Sequence, residues 1–357
     1  MNVIRQGGPL VSTAAPQTLP AMPSDSPSAL IVGAGLAGLT AARHLQTAGW
    51  QVLVIDEGDV PGGRLATLRL ADDRFVDIGG QFMSARDPAF AAVVAEWEAR
   101  GWVRRWCDGI PVLTVSGLAD GRDGFPRWIG TEGMDGLARH LASGINLRSA
   151  TTMAGLSASA GNGWRVALSD GDTVEVDAVV LTMPAPRAAA FLAAVRLPAP
   201  SILTSVRYEP CLAVVIDLPA APSPLLPTPG AVRIDDPASP LTWIASARGR
   251  GQVASGDILM LHLRAAADGD TGPLRERIAA ASPTLVQLGI TMDLTSARHE
   301  TRMWRNSRCA VPCSDPFLRV DAPSPLLLAG DGFGNCPRVE GAWLSGRAAA
   351  LTLINSR

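Results

Sequence analysis

Apolar positions along the chain fall into short runs separated by glycine, proline and small polar residues. Residues 28–32 are an apolar run closed by Gly33, the pattern of a buried strand. Residues 36–48 follow with helical spacing and are closed by Gly49, and residues 51–56 form a second apolar run. Strand, helix and strand in that order predict a β-α-β unit with parallel strands. Farther along, residues 87–100 read as a helix with Pro88 in its first turn, and residues 133–143 as a shorter one. Residues 164–168 and 173–181 alternate as antiparallel strands about the turn Ser169-Asp170-Gly171. The stretch 107–130 is dense in glycine and turn residues, and 197–240 is rich in proline around one strand at 211–217. A strand at 258–263, a helix at 272–288, a buried strand at 325–329 and a helix at 339–354 complete the pattern.

Three segments of this pattern carry chemistry. Gly33-Ala34-Gly35-Leu36-Ala37-Gly38 joins the first strand to the first helix. Its glycines permit a tight turn, a close approach of a diphosphate to the backbone, and close helix packing, with the phosphates at the positive end of the helix. Asp56 ends the second strand, where a carboxylate can accept the hydroxyls of an adenosine ribose. This motif alone does not separate NAD from FAD. The second segment, Asp56-Glu57 followed by Pro61-Gly62-Gly63-Arg64, adds an open backbone and a guanidinium beside the phosphates. In the third, a Leu-rich strand ends in Gly330-Asp331, whose carboxylate can hold a ribityl hydroxyl. The helix from Val339 carries Gly341, Ala342, Ser345, Gly346 and Ala349, small residues that admit a flat ring. The three together, in this order, point to FAD.

Composition narrows the partners. The chain has 357 residues, 47% of them hydrophobic, enough for two closely packed domains. The net charge is −2 and the 31 basic residues are dispersed, which argues against nucleic acid and against a polybasic membrane surface. All 31 are arginine; without lysine the chain has no Schiff-base amine, no PLP attachment point and no Walker-type phosphate lysine. Five cysteines are widely spaced, and the Cys309 and Cys313 pair has no neighbouring histidine to complete a ligand set, so no metal is assigned and reduced thiols in a cytoplasmic protein are expected. No apolar run is long enough to span a membrane. Residues 1–28, rich in Pro, Ser, Thr and Gly, lack a signal-peptide core and read as a disordered tail.

Several stretches resemble the flavin-dependent amine oxidases, and within them the bacterial renalase-like proteins. They are Gly62-Gly63-Arg64-Leu65-Ala66-Thr67, Asp77-Ile78-Gly79-Gly80-Gln81-Phe82-Met83-Ser84-Ala85-Arg86-Asp87, Arg127-Trp128-Ile129-Gly130, Gly133-Met134, Leu241-Thr242-Trp243-Ile244-Ala245 and Arg338-Val339-Glu340-Gly341-Ala342-Trp343-Leu344-Ser345-Gly346. The resemblance implies an α/β fold: a Rossmann-type FAD-binding domain with a discontinuous α+β substrate domain. The expected FAD domain combines residues 29–85, 131–185 and 320–357; the substrate domain combines 86–130 and 186–319. Candidate cofactor residues are Gly33, Gly35, Leu36, Ala37, Gly38, Asp56, Glu57, Gly63, Arg64, Gly80, Gln81, Thr151, Thr182, Gly330, Asp331, Val339 and Ala342. Thr151 stands where the family usually places Val or Ile against the adenine, and Asn306 where it places an aromatic residue.

For the substrate site the candidates are Gln81, Trp243, His262 and Trp304. Each has a second reading: Gln81 as a turn-capping amide, the two tryptophans as core, His262 as a core histidine. The implied reaction is oxidation of 2- and 6-dihydro isomers of NAD(P), with electrons passed to O2 to give NAD(P)+ and H2O2. The alternatives are an amine oxidase or desaturating enzyme of the same fold, or a flavin-binding protein without turnover. A monomer or homodimer acting on a small molecule is expected. No attachment residue for the flavin is recognised, so acid precipitation of the yellow protein is expected to release all of its FAD into the supernatant. Colour retained in the pellet would overturn the non-covalent assignment.

Overall fold

Two sheets meet across one buried polar junction in the computed structural model, which describes residues 26–356 apart from 71–72, 222–224 and 267–271. Residues 1–25, most of the expected tail, lie outside the described residues, and Ser28 already belongs to the first strand. The first sheet has six strands in the spatial order Leu318–Arg319, Leu326–Leu328, Ala178–Leu181, Ser28–Val32, Gln51–Ile55 and Asn146–Arg148. All its pairs are parallel except that of the Leu318–Arg319 edge strand. Successive side chains point to opposite faces, and both faces are covered. Ala29 and Ile31 face a cluster formed with helices Leu36–Thr47, Pro88–Ala99, Met134–Ala142 and Val339–Asn355. Leu30 and Val32 face the antiparallel strands Met153–Ala158, Trp164–Leu168 and Thr173–Val176 and the helix Ala185–Ala194.

The second sheet has seven strands in the order Arg298–Val311, Arg207–Leu218, Asp257–Arg264, Leu241–Ser246, Ala231–Asp235, Val112–Thr114 and Gly117–Ala119. Its leucine-rich face, with Leu212, Val214, Leu259, Leu261 and Leu263, is covered by the helix Leu274–Gln287 through Ile278, Ala281 and Leu285. The opposite face, with Ala213, Val215, Trp243, Ala245 and Met260, packs on Val76 and Ile78 next to the first sheet's domain.

All strands of the second sheet fall within 86–130 and 186–319. The first sheet draws on the other three segments, save Leu318–Arg319 and the one-residue extension to Ser28. Helices Pro88–Ala99 and Ala185–Ala194 nevertheless bury Phe90, Val94 and Trp97, and Ala188 and Leu192, in the clusters on the parallel sheet. The single strand expected at 173–181 is two: the chain leaves the antiparallel meander at Val176 and enters the parallel sheet at Ala178. The turn-rich stretch 107–130 takes in the end of the strand Val103–Gly109 and all of its antiparallel partner Arg122–Gly130.

The first and last helices cross in close contact. A Cβ at Gly346 would fall 2.1 Å from the Ala37 carbonyl oxygen. Gly346→Ala must therefore push the helices apart, and overpacking of this kind costs about 1–3 kcal/mol. Chemical denaturation of the variant should show that loss; an unchanged midpoint would mean that the helices cross elsewhere.

Candidate functional site

The glycines between the first strand and first helix have different tasks. Gly33 has φ +114°, and a Cβ there would meet Thr182 Oγ1 at 2.4 Å; a Cβ on Gly38 would meet the Gly33 carbonyl at 1.9 Å. Both are required by the protein's own packing. Gly35 is not: it has φ −75°, and a Cβ would meet nothing nearer than the Gly62 carbonyl at 4.0 Å. It caps the helix Leu36–Thr47 without a side-chain hydrogen bond, and no acid stands in the first turn. An open space before the electropositive first turn of a helix fits a diphosphate. Thr182 closes the floor, its hydroxyl donating to the carbonyls of Val32 at 2.9 Å and Gly33 at 3.1 Å.

Asp56 lies at the adjoining strand end. Its carboxylate accepts from the Ala34 N–H at 2.6 Å and the Gly58 N–H at 2.8 Å. Burial raises its pKa, and these two hydrogen bonds oppose the rise. Thr151 N–H donates to the Asp56 carbonyl at 2.8 Å, while its hydroxyl turns to Ser149. Glu57 points away to the surface and pairs with Arg187, whose hydrogen bond lowers its pKa.

Across the cleft, Arg64 and Asp331 form a two-pronged pair, Nη1 to Oδ2 at 2.7 Å and Nη2 to Oδ1 at 2.6 Å. Gly80 is fixed beneath Arg64, donating its N–H to the Arg64 carbonyl at 2.7 Å. Gly330 N–H donates to Ser345 Oγ at 2.9 Å, which ties the strand end to the last helix. At the start of that helix Val339 and Ala342, one turn apart, stay half-buried. Arg64 also donates to the Asn306 backbone carbonyl at 3.2 Å, a contact indifferent to the side chain at that position.

The four substrate-site candidates come together on the second sheet's inner face and the turn beside it. Trp243, His262, Ala213 and Arg302 are register partners in one row across four strands; Trp304 stands opposite Cys211, two residues from Ala213. The Trp304 indole donates to the Ile78 carbonyl at 2.8 Å, with the Arg302 guanidinium over it at 5.1 Å. Burial above all, with the charge of Arg250 adding to it, pushes His262 down to about 4, and its Nε2 has no hydrogen-bond partner. The Gln81 amide is fully engaged: Nε2 donates to the carbonyls of Asp77 and Gly79, and Oε1 accepts from Arg250 at 2.9 Å and Trp243 at 3.2 Å. Arg308 makes an exposed pair with Glu209.

Sequence reasoning missed Arg250 and Tyr208. Arg250 is fully buried and donates to the Gln81 carbonyl at 2.5 Å, but it sits in an Arg-Gly-Arg-Gly stretch that reads as a surface loop. Tyr208 reaches Asp331 from the other sheet, a contact no local pattern announces. Among the described residues no group of His, Cys, Asp and Glu is placed to hold a metal ion, and no helix is long and apolar enough to cross a membrane.

Comparison with known proteins shows the family of the chain. Residues 118–354 match the family model of flavin containing amine oxidoreductases, and residues 31–97 that of NAD(P)-binding Rossmann-like domains. An L-amino acid dehydrogenase of Synechocystis sp. is 36% identical over 103 residues, 29% of this chain and 22% of that protein. A neurosporene-forming phytoene desaturase of Cereibacter sphaeroides is 50% identical over 56 residues, 16% of this chain and 11% of that protein. The chain thus spans less than a quarter of the length of these curated relatives. Among solved structures, a putative protoporphyrinogen oxidase from Exiguobacterium sp. 255-15 superposes with a TM-score of 0.72 at 13% identity, covering 93% of this chain and 99% of that one. Putrescine oxidase bound to putrescine gives 0.68 at 14% identity, covering 92% and 99%. At these identities the structural likeness is one of fold.

The contrast between the glycines is testable. Gly35→Val should abolish FAD binding while leaving the cofactor-free protein's melting temperature nearly unchanged, whereas Gly38→Val should destabilise the cofactor-free protein itself. FAD content and thermal melts of both variants decide it; full FAD occupancy in Gly35→Val would misplace the diphosphate.

Proposed function

The chain belongs to the flavin-containing amine oxidoreductase family, with FAD as its cofactor, and from that premise we propose that it oxidises mis-reduced dihydronicotinamides, the 2- and 6-dihydro isomers of NAD(P), rather than amines. FAD, when bound, supplies a two-electron acceptor that returns its electrons to O2. The substrate gives up a hydride and becomes the aromatic NAD(P)+; O2 takes two electrons and two protons and leaves as H2O2. The observation that carries this reading is the inner face of the second sheet, where Trp243 and Trp304 flank a neutral histidine in a chain without lysine.

Two indoles suit a flat ring, and their N–H groups are fixed by Gln81 and Ile78, so the walls are rigid. Gln81, its amide spent on Trp243, Arg250 and the turn backbone, orients the wall. Aromatisation drives hydride loss from a dihydropyridine, so the site has to position the ring and needs no strong base. His262, neutral at pH 7, can accept a hydrogen bond through Nε2 without bringing a charge beside the ring. At the cofactor, the Gly33–Gly38 turn would hold the diphosphate, Asp56 the ribose and Asp331 the ribityl chain.

Anaerobic stopped-flow spectroscopy tests the reading. The 2- or 6-dihydro isomers should bleach the flavin at least tenfold faster than ordinary 4-dihydro NADH or primary amines. Trp304→Ala should slow that bleaching while sparing FAD content, and air should restore the oxidised spectrum with release of peroxide. Rapid bleaching by amines or amino acids, with none by the dihydro isomers, would replace this reading with an amine-oxidising one.

A further inference from the structure

Tyr208 is the only tyrosine of the chain, and it lies on the strand Arg207–Leu218 of the second sheet. Its hydroxyl nevertheless reaches the cofactor cleft of the first, donating to Asp331 Oδ1 at 3.1 Å. The same oxygen accepts from Arg64 Nη2 at 2.6 Å, and Oδ2 accepts from Arg64 Nη1 at 2.7 Å. The Arg64 guanidinium lies over the Tyr208 ring, 5.5 Å from its centre. The neighbouring edge strand contributes the Asn306 carbonyl, which accepts from Arg64 at 3.2 Å. Asn306 lies where the register between the two strands slips, between the pairs Cys211 with Trp304 and Glu209 with Arg308. The residue after Asp331 is Gly332, where a Cβ would fall 2.6 Å from the Tyr208 hydroxyl oxygen.

A carboxylate offers about four acceptor positions. Arg64 fills one on each oxygen and Tyr208 a second on Oδ1, which leaves one on Oδ2. We infer that Tyr208 is a positioning residue for FAD: it reaches across from the second sheet to fix the Asp331 carboxylate, whose remaining acceptor position is kept for a cofactor hydroxyl. The inference rests on Asp331 standing at the cofactor. Burial, together with the Asp331 charge, pushes the phenol well above its ordinary range, so the hydroxyl keeps its proton and stays a donor. It follows that cofactor affinity depends on how the second sheet is docked, although that sheet holds none of the dinucleotide motif.

FAD release from the holoprotein on dilution, followed by the gain in flavin fluorescence, tests this without any substrate. Tyr208→Phe keeps the ring and removes only the hydroxyl; it should weaken FAD binding about tenfold, the scale of one hydrogen bond to a charged group. In an Asp331→Asn background the same substitution should add less than about twofold, since groups acting through one another are not additive. Gly332→Ala should weaken binding in the parent protein and do so much less in the Tyr208→Phe protein, where the crowded oxygen is gone. If Tyr208→Phe folds poorly, Gly332→Ala in the parent protein tests the same contact by an independent route, and an unchanged FAD affinity there would overturn the inference. An unchanged FAD affinity in Tyr208→Phe, or full additivity with Asp331→Asn, would overturn the inference. If Asp331→Asn itself leaves FAD affinity intact, the placement of Asp331 at the cofactor fails instead, and with it the premise of this inference.

Discussion

The carboxylate of Asp77 holds the two halves of this protein together. It is fully buried at the end of the short strand Phe75–Asp77, and each of its oxygens is claimed by a different part of the chain. Oδ1 accepts from Thr67 Oγ1 at 2.7 Å and from the Met134 N–H at 2.8 Å, which fixes the start of the helix Met134–Ala142. Oδ2 accepts from Gln252 at 2.8 Å and lies 3.4 Å from Arg250, both carried by the loop after Leu241–Ser246 of the second sheet. A charge in such a place is tolerable only when it is paired and hydrogen-bonded, and removing one partner of a buried pair typically costs about 3–5 kcal/mol. The pair therefore specifies where the sheets meet more than it adds to net stability. Between them it leaves the turn Gly79–Gln81, with Gly80 under Arg64 on one side and Gln81 against Trp243 on the other.

Function is most visible in features that the folded chain does not need for itself. Gly33 and Gly38 are forced by contacts within the fold, but Gly35 borders open space. The buried His262 Nε2 has no partner, although buried polar atoms are rarely left unmade. Thr151 and Glu57, by contrast, are already occupied by Ser149 and Arg187. The same distinction sets Gln81, whose amide is exhausted within the protein, apart from Asp331, whose carboxylate has an acceptor position to spare.

The four inner strands of the first sheet were readable because they are short, mostly apolar runs and because the diphosphate turn has a fixed spacing, whereas its edge strands Asn146–Arg148 and Leu318–Arg319 are too short and polar to stand out. The edge strand Arg298–Val311 was not readable either, for a physical reason. It runs Arg-His-Glu-Thr-Arg-Met-Trp-Arg, polar on both faces, because as an edge strand it is only half covered along most of its length. The boundary inside 173–181 was hidden because the alternating strand Thr173–Val176 runs on into the apolar strand Ala178–Leu181 with only Asp177 between them. Trp243 and Trp304 were picked out as candidate walls for a flat ring, and register brings them to one face. The groups that fix them, the Ile78 carbonyl and the Gln81 amide that Arg250 in turn holds, come from turns and loops whose burial arises only when the two sheets dock.

That docking also decides which proton chemistry the site can offer. With no lysine, every cationic side chain other than histidine is a guanidinium that stays charged at all working pH values. His262 is pushed down to about 4, chiefly by burial, so it is neutral above that pH. The thiols nearby move the other way: burial raises Cys211 to about 12 and Cys309 to about 11, and both stay protonated at neutral pH. Tyr208 is likewise held in its protonated form. Around the junction of the two sheets these groups are therefore frozen in one state across the neutral range, beside indole walls whose donors are fixed. Amine oxidation asks for a deprotonated amine and gains from a base that supplies it; a dihydropyridine arrives ready to lose its hydride. A site that offers geometry and little proton exchange is what the proposed dihydropyridine substrate would require, with the two indoles on one face of the sheet as its walls.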